Sequence, residues 1–152
     1  LEAFRLYPDA ACAVTQLKAA GFLVIVATNQ PDIATGRVSH VVLDAMHDRL
    51  RAACAIDAIE VSTATRSQSD RRRKPSPGML LDAAANWDIN LSASFMVGDR
   101  ASDIDCGRAA GVRTVFIDLG YTAERRPNKP DAIASNLSEA ADWICAAAKM
   151  TE

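Results

Sequence analysis

The run Phe22-Leu-Val-Ile-Val-Ala27 constrains the fold more than any other feature of this sequence. Every residue in it is apolar and three are β-branched, so it reads as a strand buried on both faces, the kind that parallel sheets contain. Gly21 precedes it and the polar Thr28-Asn29-Gln30 follows. A parallel strand needs crossover connections, and helical stretches lie on either side. Ala10 to Ala20 carries Val14, Leu17 and Ala20 at helical spacing, with Asp9 expected to cap its start and Gly21 to end it. Ser39 is placed to cap a second helix through about Cys54, with Val42, Met46 and Leu50 on one face, before a half-polar strand, Ala58 to Ser62, expected near an edge. The alternation continues. Ser76 and Pro77 open a helix that runs to about Trp87, Ser94 to Val97 is a strand, and Ala101 to Ala110 is a helix stopped by Gly111. Arg113 to Ile117 is a further buried strand, and after a loop over Asp118 to Pro130 a last helix starts at Ser138. This is the pattern of an α/β protein, a three-layer doubly wound parallel sheet in one domain over residues 1–152.

Composition narrows the function classes. The chain of 152 residues is 49% hydrophobic, leaning on Ala, and 24% charged, as an ordinary globular domain is. A formal net charge of −2 gives no general attraction to nucleic acid or anionic membrane, and no apolar run approaches transmembrane length. Cys12, Cys54, Cys106 and Cys145 lie far apart with no CxxC pair, and are expected as small buried residues of a reducing, cytoplasmic protein. Neither GxGxxG nor GxxxxGK[ST] occurs, which argues against a nucleotide-binding domain.

In open α/β sheets, ligands bind beyond the carboxyl ends of the strands. Three polar clusters meet that rule: Thr28-Asn29-Gln30 after one strand, Asp99 after another, and Lys74 ahead of a helix. A hydroxyl, a carboxylate and an ammonium on one edge suit a phosphorylated ligand with a divalent cation. Thr28 and Lys74 can hold phosphate oxygens, and Asp99, with Asp103 one turn further on, can offer hard oxygen ligands to Mg²⁺.

Together these clusters resemble the haloacid dehalogenase (HAD) superfamily of phosphohydrolases. The match is carried by FLVIVATNQ with Thr28, RKPSPGM with Lys74 and VGDRASD with Asp99 and Asp103, in the family's order. The wording TNQ, RKPSPGML and VGDRASDI looks most like the compact branch of histidinol-phosphate phosphatases and D-glycero-D-manno-heptose 1,7-bisphosphate phosphatases. The resemblance runs from about Tyr7 to the last helix. It implies a HAD-like, Rossmannoid fold without a cap domain, and Mg²⁺-dependent hydrolysis of a small phosphorylated metabolite, a sugar phosphate or bisphosphate, through an aspartyl-phosphate. Within it Thr28 binds a phosphate oxygen, Asn29 shapes the phosphate pocket, Lys74 neutralises phosphate charge and orients the nucleophile, and Asp99 holds the metal, with Asp103 as a further ligand or as a support behind the ligands. Arg73 and Arg100 are candidates for a second anionic group of the substrate. A monomer or small homo-oligomer is expected.

Two departures from the family pattern matter. The DxDG motif of the first strand, which supplies nucleophile and general acid, is absent. The only DxD, Asp103-Ile104-Asp105, falls inside a helical stretch where residues two apart face different ways. In the family that strand is central, between the strands matching Phe22 to Ala27 and Ser94 to Val97. Without it two apolar strands face each other with unpaired edges, each buried unsatisfied group costing about 1–3 kcal/mol. The expectation is therefore that an apolar strand ending in DxD precedes Leu1, and that the sequence as it stands does not turn over substrate; a HAD-like module that binds without catalysing is the rival. Second, Thr63 to Arg72 holds no Cys or His, so the zinc loop common among the heptose bisphosphate phosphatases is not expected here, and the site should be open.

Other residues have plainer readings. Arg71 and Arg72 read as a solvated charged loop, and His40 and His47 as solvated residues of a surface helix. Trp87 and Trp143 read as core or helix-packing residues, and Asp105 as an exposed helix residue.

Overall fold

The computed structural model describes residues 4–150, which form an α/β domain with parallel strands and helices on both faces. The element order is α1 (Ala10–Ala19), β1 (Ile25–Asn29), α2 (Pro31–Ala34), α3 (His40–Ala53), β2 (Ala58–Ser62), α4 (Gly78–Trp87), β3 (Phe95–Gly98), α5 (Ala101–Ala110), β4 (Arg113–Ile117), β5 (Ala132–Ala134) and α6 (Leu137–Lys149). All strand pairs are parallel, but they form two sheets rather than one. β1 pairs with β2 in register Ile25 to Ala58 through Asn29 to Ser62, and β3, β4 and β5 form the second sheet in that order. Among the described residues no strand joins β1 to β3, and no cap domain is evident.

The period-two alternation of the strands sorts the helices into layers. Val115, Phe95 and Val97 face α1 and α6, where they meet Ala13, Leu17, Ala140, Ala141 and Ile144. Phe95 also receives Phe22 and Trp143 edge-on, at 5.8 and 5.9 Å between ring centroids. The opposite face carries Met96 and Thr114, on which α5 lies so closely that a Cβ at Gly107 would come within 2.6 Å of the Met96 side chain. The Ala-rich composition serves this packing, since Ala13, Ala140 and Ala141 are at most 1% exposed.

Several boundaries differ from the sequence reading, each for a local reason. The first strand covers Ile25–Asn29 rather than Phe22 to Ala27. The Phe22 N–H is used to close α1 on the Leu17 carbonyl, and the Val24 N–H donates to the Asp57 carboxylate instead of entering the ladder. At its other end β2 supplies partners as far as Ser62, so Thr28 and Asn29 sit within the strand rather than after it. β3 is likewise displaced by one residue, from Ser94–Val97 to Phe95–Gly98. Asp9 precedes α1 but makes no side-chain cap there; its Oδ2 accepts the Ser138 N–H at 2.9 Å and so serves the first turn of α6. Asn136, not Ser138, is the N-cap of α6, accepting the Glu139 N–H. Pro77 rather than Ser76 stands at the N-cap of α4, and the Gly78 N–H finds the Arg71 carbonyl at 2.9 Å. Ser39 caps α3 as expected. β5, only three residues long, lies between the expected loop, Asp118 to Pro130, and the last helix, where no element was expected.

Some burial expectations are also corrected. Trp87 ends α4 with its side chain exposed, and Cys12 is exposed on α1, whereas Cys54 and Cys106 are buried. His47 is half-buried rather than solvated, and desolvation holds its imidazole below the usual value. No described helix is long and apolar enough to cross a membrane.

Candidate functional site

β1 and β3 both end at a polar cavity of about 890 Å³. All seven side chains singled out from the sequence, Thr28, Asn29, Arg73, Lys74, Asp99, Arg100 and Asp103, line it. Thr28 and Asn29 end β1, Asp99 and Arg100 follow β3, Asp103 lies on the first turn of α5, and Arg73 and Lys74 come from the loop ahead of α4, all at the carboxyl edge of the strands.

Lys74 is the centre of the arrangement. Its ammonium donates to the Ala27 carbonyl of β1 at 2.8 Å and pairs with Asp103 Oδ1 of α5 at 2.6 Å, so it spans the two sheets. The pair is largely buried, with side chains 12% and 6% exposed. An ammonium has three N–H donors, and the third remains for a ligand. Asn29 fixes the main chain of the same residue: its Nδ2 donates to the Lys74 carbonyl at 3.1 Å and its Oδ1 accepts the Lys74 N–H at 3.0 Å. The Lys74–Pro75 peptide is cis. Thr28 accepts a hydrogen bond from Gln30 Nε2 at 3.0 Å, which leaves its own O–H proton to donate into the cavity.

Asp103 is buried on the first turn of α5, where Oδ2 accepts the Arg100 N–H at 3.1 Å. With Lys74 on Oδ1, both its oxygens have cationic or N–H partners. Asp99 differs, since only its Oδ2 is engaged, by the Tyr121 hydroxyl at 3.0 Å. The Asp99 hydrogen bond is the main cause holding the Tyr121 phenol above its usual value. Gly98 is required by this packing: a Cβ there would stand 2.3 Å from the Asp103 side chain. Below the pair, Cys106 Sγ donates to the Ser76 carbonyl at 3.3 Å, and burial pushes its thiol up to about 11, so it is neutral at physiological pH.

The donor set fits Mg²⁺, which takes one or two carboxylates and completes its shell with water and phosphate oxygens. Asp99 has an oxygen free for that role, whereas Asp103 is engaged by Lys74. No cluster of three or more His, Cys, Asp or Glu suited to a metal occurs among the described residues.

The basic stretch before Lys74 departs from its solvated reading. Arg72 reaches Glu60 of β2 at 2.8 Å, Asp82 of α4 at 2.5 Å and the Val61 carbonyl at 3.2 Å, and Arg71 shares Asp82 at 2.6 Å. The hydrogen bond from Arg71, with that from Arg72, holds the Asp82 carboxyl below its usual value. Asp70 closes the other side, accepting from Ser62 Oγ at 2.8 Å and from the Arg72 N–H at 2.9 Å. Arg73 donates to the Ala64 carbonyl at 2.7 Å, and Arg100 lies 3.5 Å from Glu124. Asp105 is half-buried and ion-paired to Arg125 rather than exposed. Sequence reasoning missed Tyr121, because it comes from the loop after β4 and carries no motif, and missed the partners Glu60 and Asp82, which lie on other elements.

Parallel strands with Thr28, Lys74 and Asp99 at one edge define a HAD-like hydrolase, and the HAD-hydrolase-like family model matches residues 71–140. The D-glycero-D-manno-heptose-1,7-bisphosphate 7-phosphatase of Thermosynechococcus vestitus is 34% identical over 95% of this chain and 85% of its own length. The D-glycero-beta-D-manno-heptose-1,7-bisphosphate 7-phosphatase of Rhodopseudomonas palustris is 37% identical over 73% of the chain and 68% of its own length. Among solved structures, the D,D-heptose 1,7-bisphosphate phosphatase from B. bronchiseptica, complexed with magnesium and phosphate, superposes with a TM-score of 0.83 at 27% identity, covering 93% of this chain and 84% of that one. The chain belongs to the D-glycero-D-manno-heptose-1,7-bisphosphate 7-phosphatase family.

Proposed function

We propose that this protein is a Mg²⁺-dependent phosphatase that removes one phosphoryl group from a sugar bisphosphate. The convergence of Thr28, Lys74 and Asp99 on one cavity carries the reading. The Thr28 hydroxyl and the third N–H of Lys74 hold the oxygens of the phosphoryl group. Asp103 holds the Lys74 ammonium in place through their ion pair, and so acts through it. Asp99 is the residue that would hold the metal, whose charge would lower the cost of bringing a carboxylate up to an anionic phosphoryl group.

The nucleophile belongs to a strand between β1 and β3. Two observations favour that. Ile25 and Ala27 of β1 and Phe95 and Met96 of β3 line an apolar cavity of about 370 Å³ under α4. β1 pairs only with β2, and β3 only with β4, so among the described residues each leaves one edge without ladder bonds. An apolar strand ending in Asp-x-Asp would bring its first carboxylate beside Lys74, ready to form an aspartyl-phosphate, and its second to protonate the leaving alkoxide. Arg73 and Arg100 stand near enough to contribute to binding the rest of the substrate. The absence of Cys and His from 63–72 leaves no ligands there for a zinc ion, so relatives' substrates transfer by class rather than by molecule.

Hydrolysis of a sugar bisphosphate by the protein carrying that strand should require Mg²⁺ and fall at least about 100-fold in K74A and D99N. The chain of residues 1–152 alone should bind phosphate without turnover. Equal rates in wild type and both variants would overturn the roles given to these residues, and binding without hydrolysis by the longer protein would point to a non-catalytic module.

A further inference from the structure

The cavity is larger than a single phosphoryl group fills, and five cationic side chains line it against three carboxylates. Four of those cations are committed within the protein. Arg71 is tied to Asp82, Arg73 to the Ala64 carbonyl, Lys74 to Asp103 and Ala27, and Arg100 to Glu124. Arg66 is the exception: it lines the cavity and makes no hydrogen bond or ion pair among the described residues. Its loop is nevertheless well anchored. Gln68 Oε1 accepts the Thr65 N–H at 2.7 Å, Arg73 donates to the carbonyl of Ala64, and Asp70 ties the far end back to Ser62. An uncommitted guanidinium is thus carried by a loop fixed on either side of it.

Topology separates this charge from the reacting centre. β2 pairs with β1 in one sheet, while β3 belongs to the other. Arg66 follows β2, whereas Asp99 follows β3, and Lys74 reaches between β1 and α5. We infer that Arg66 is the specificity-determining residue for the second anionic group of the substrate, binding a phosphoryl or similarly charged group at the β2 end of the cavity while the first occupies Lys74 and Asp99. A guanidinium matches a phosphoryl group with paired N–H donors, and nothing in the protein must be displaced before Arg66 binds. Arg100 is the weaker candidate for the same task, because it sits beside Asp99 and already faces Glu124. The inference rests on the phosphatase reading given above.

The test is equilibrium binding by calorimetry with Mg²⁺ present, which needs no turnover. The ligands are inorganic phosphate, glucose 6-phosphate and glucose 1,6-bisphosphate, and the proteins are wild type, R66Q, R66K and R51Q. Arg51 lies on α3 outside the cavity and controls for the loss of one charge. Wild type should prefer the bisphosphate to the monophosphate, and R66Q should lower that preference about tenfold, in keeping with a charged hydrogen bond. R66K should retain part of it, and R51Q all of it. If R66Q weakens monophosphate and bisphosphate alike, or leaves their ratio unchanged, the role of Arg66 is overturned while the phosphate site stands. If wild type binds none of the three ligands, the phosphatase reading fails and takes this inference with it.

Discussion

In the three-stranded sheet, β4 holds Thr114, Val115 and Phe116 at 6% exposure or less, whereas all five residues of β1 in the two-stranded sheet are half-buried. The first sheet is closed by apolar packing of α1, α5 and α6. The second is held largely by charge and hydrogen bonds: Lys18 to Asp57, Arg72 to Glu60 and Asp82, Asn29 to the Lys74 main chain. The polar half also carries Thr28 and is tied to Lys74, the two side chains proposed to bind phosphate. A site that must desolvate an anion needs fixed polar groups, and these groups replace apolar contacts that would otherwise steady the strands.

The most damaging way to break the contrast is to cut the bridge between the halves. K74M leaves the Asp103 carboxylate buried without its cation, and should cost about 3–5 kcal/mol in urea unfolding. A smaller loss would mean that water reaches Asp103 through the cavity and that the halves are tied elsewhere.

Paired truncations would sharpen the comparison next. Ile104, fully buried on α5, should lose about 2–5 kcal/mol as I104A, while I25A in the half-buried β1 should lose under about 2 kcal/mol. Equal losses would show that β1 is as well packed as the other sheet.

The smallest effect belongs to Asp57. Burial opposes its charge, but hydrogen bonds from Lys18 and the Val24 N–H more than offset that and set its carboxyl below the usual value. A carboxyl lowered in the folded state contributes stability above its unfolded value, near 3.9, and that contribution disappears as pH falls through the folded value. D57N should therefore cost about 1 kcal/mol at pH 7 and progressively less as pH falls below the unfolded value, read from unfolding curves across pH.

The same contrast decides what the sequence could reveal. β4 and α5 were legible residue for residue, because Arg113 to Ile117 and Ala101 to Ala110 are bounded by their own signals and packed by their own apolar residues. The start of β1 was not, because the Asp57 carboxylate takes the Val24 N–H, a contact 33 residues away. The cavity residues were legible as motifs, since Thr28 and Asp99 fall at strand ends and Lys74 just ahead of a helix, whatever the exact boundaries. Arg72 was misread as solvated because its partners, Glu60 and Asp82, adjoin it only in three dimensions. Tyr121 was missed for the same reason, having met Asp99 from across the fold.

Asn29 carries a consequence of its own. Its side-chain amide donates and accepts toward one residue, Lys74, as a neighbouring peptide group would in a ladder. A loop with no strand structure is thereby held in register on β1 by a side chain imitating backbone. Aspartate has the right shape but cannot donate, and leucine has the right size but can do neither, so only the amide sets how far along the strand the lysine comes to rest.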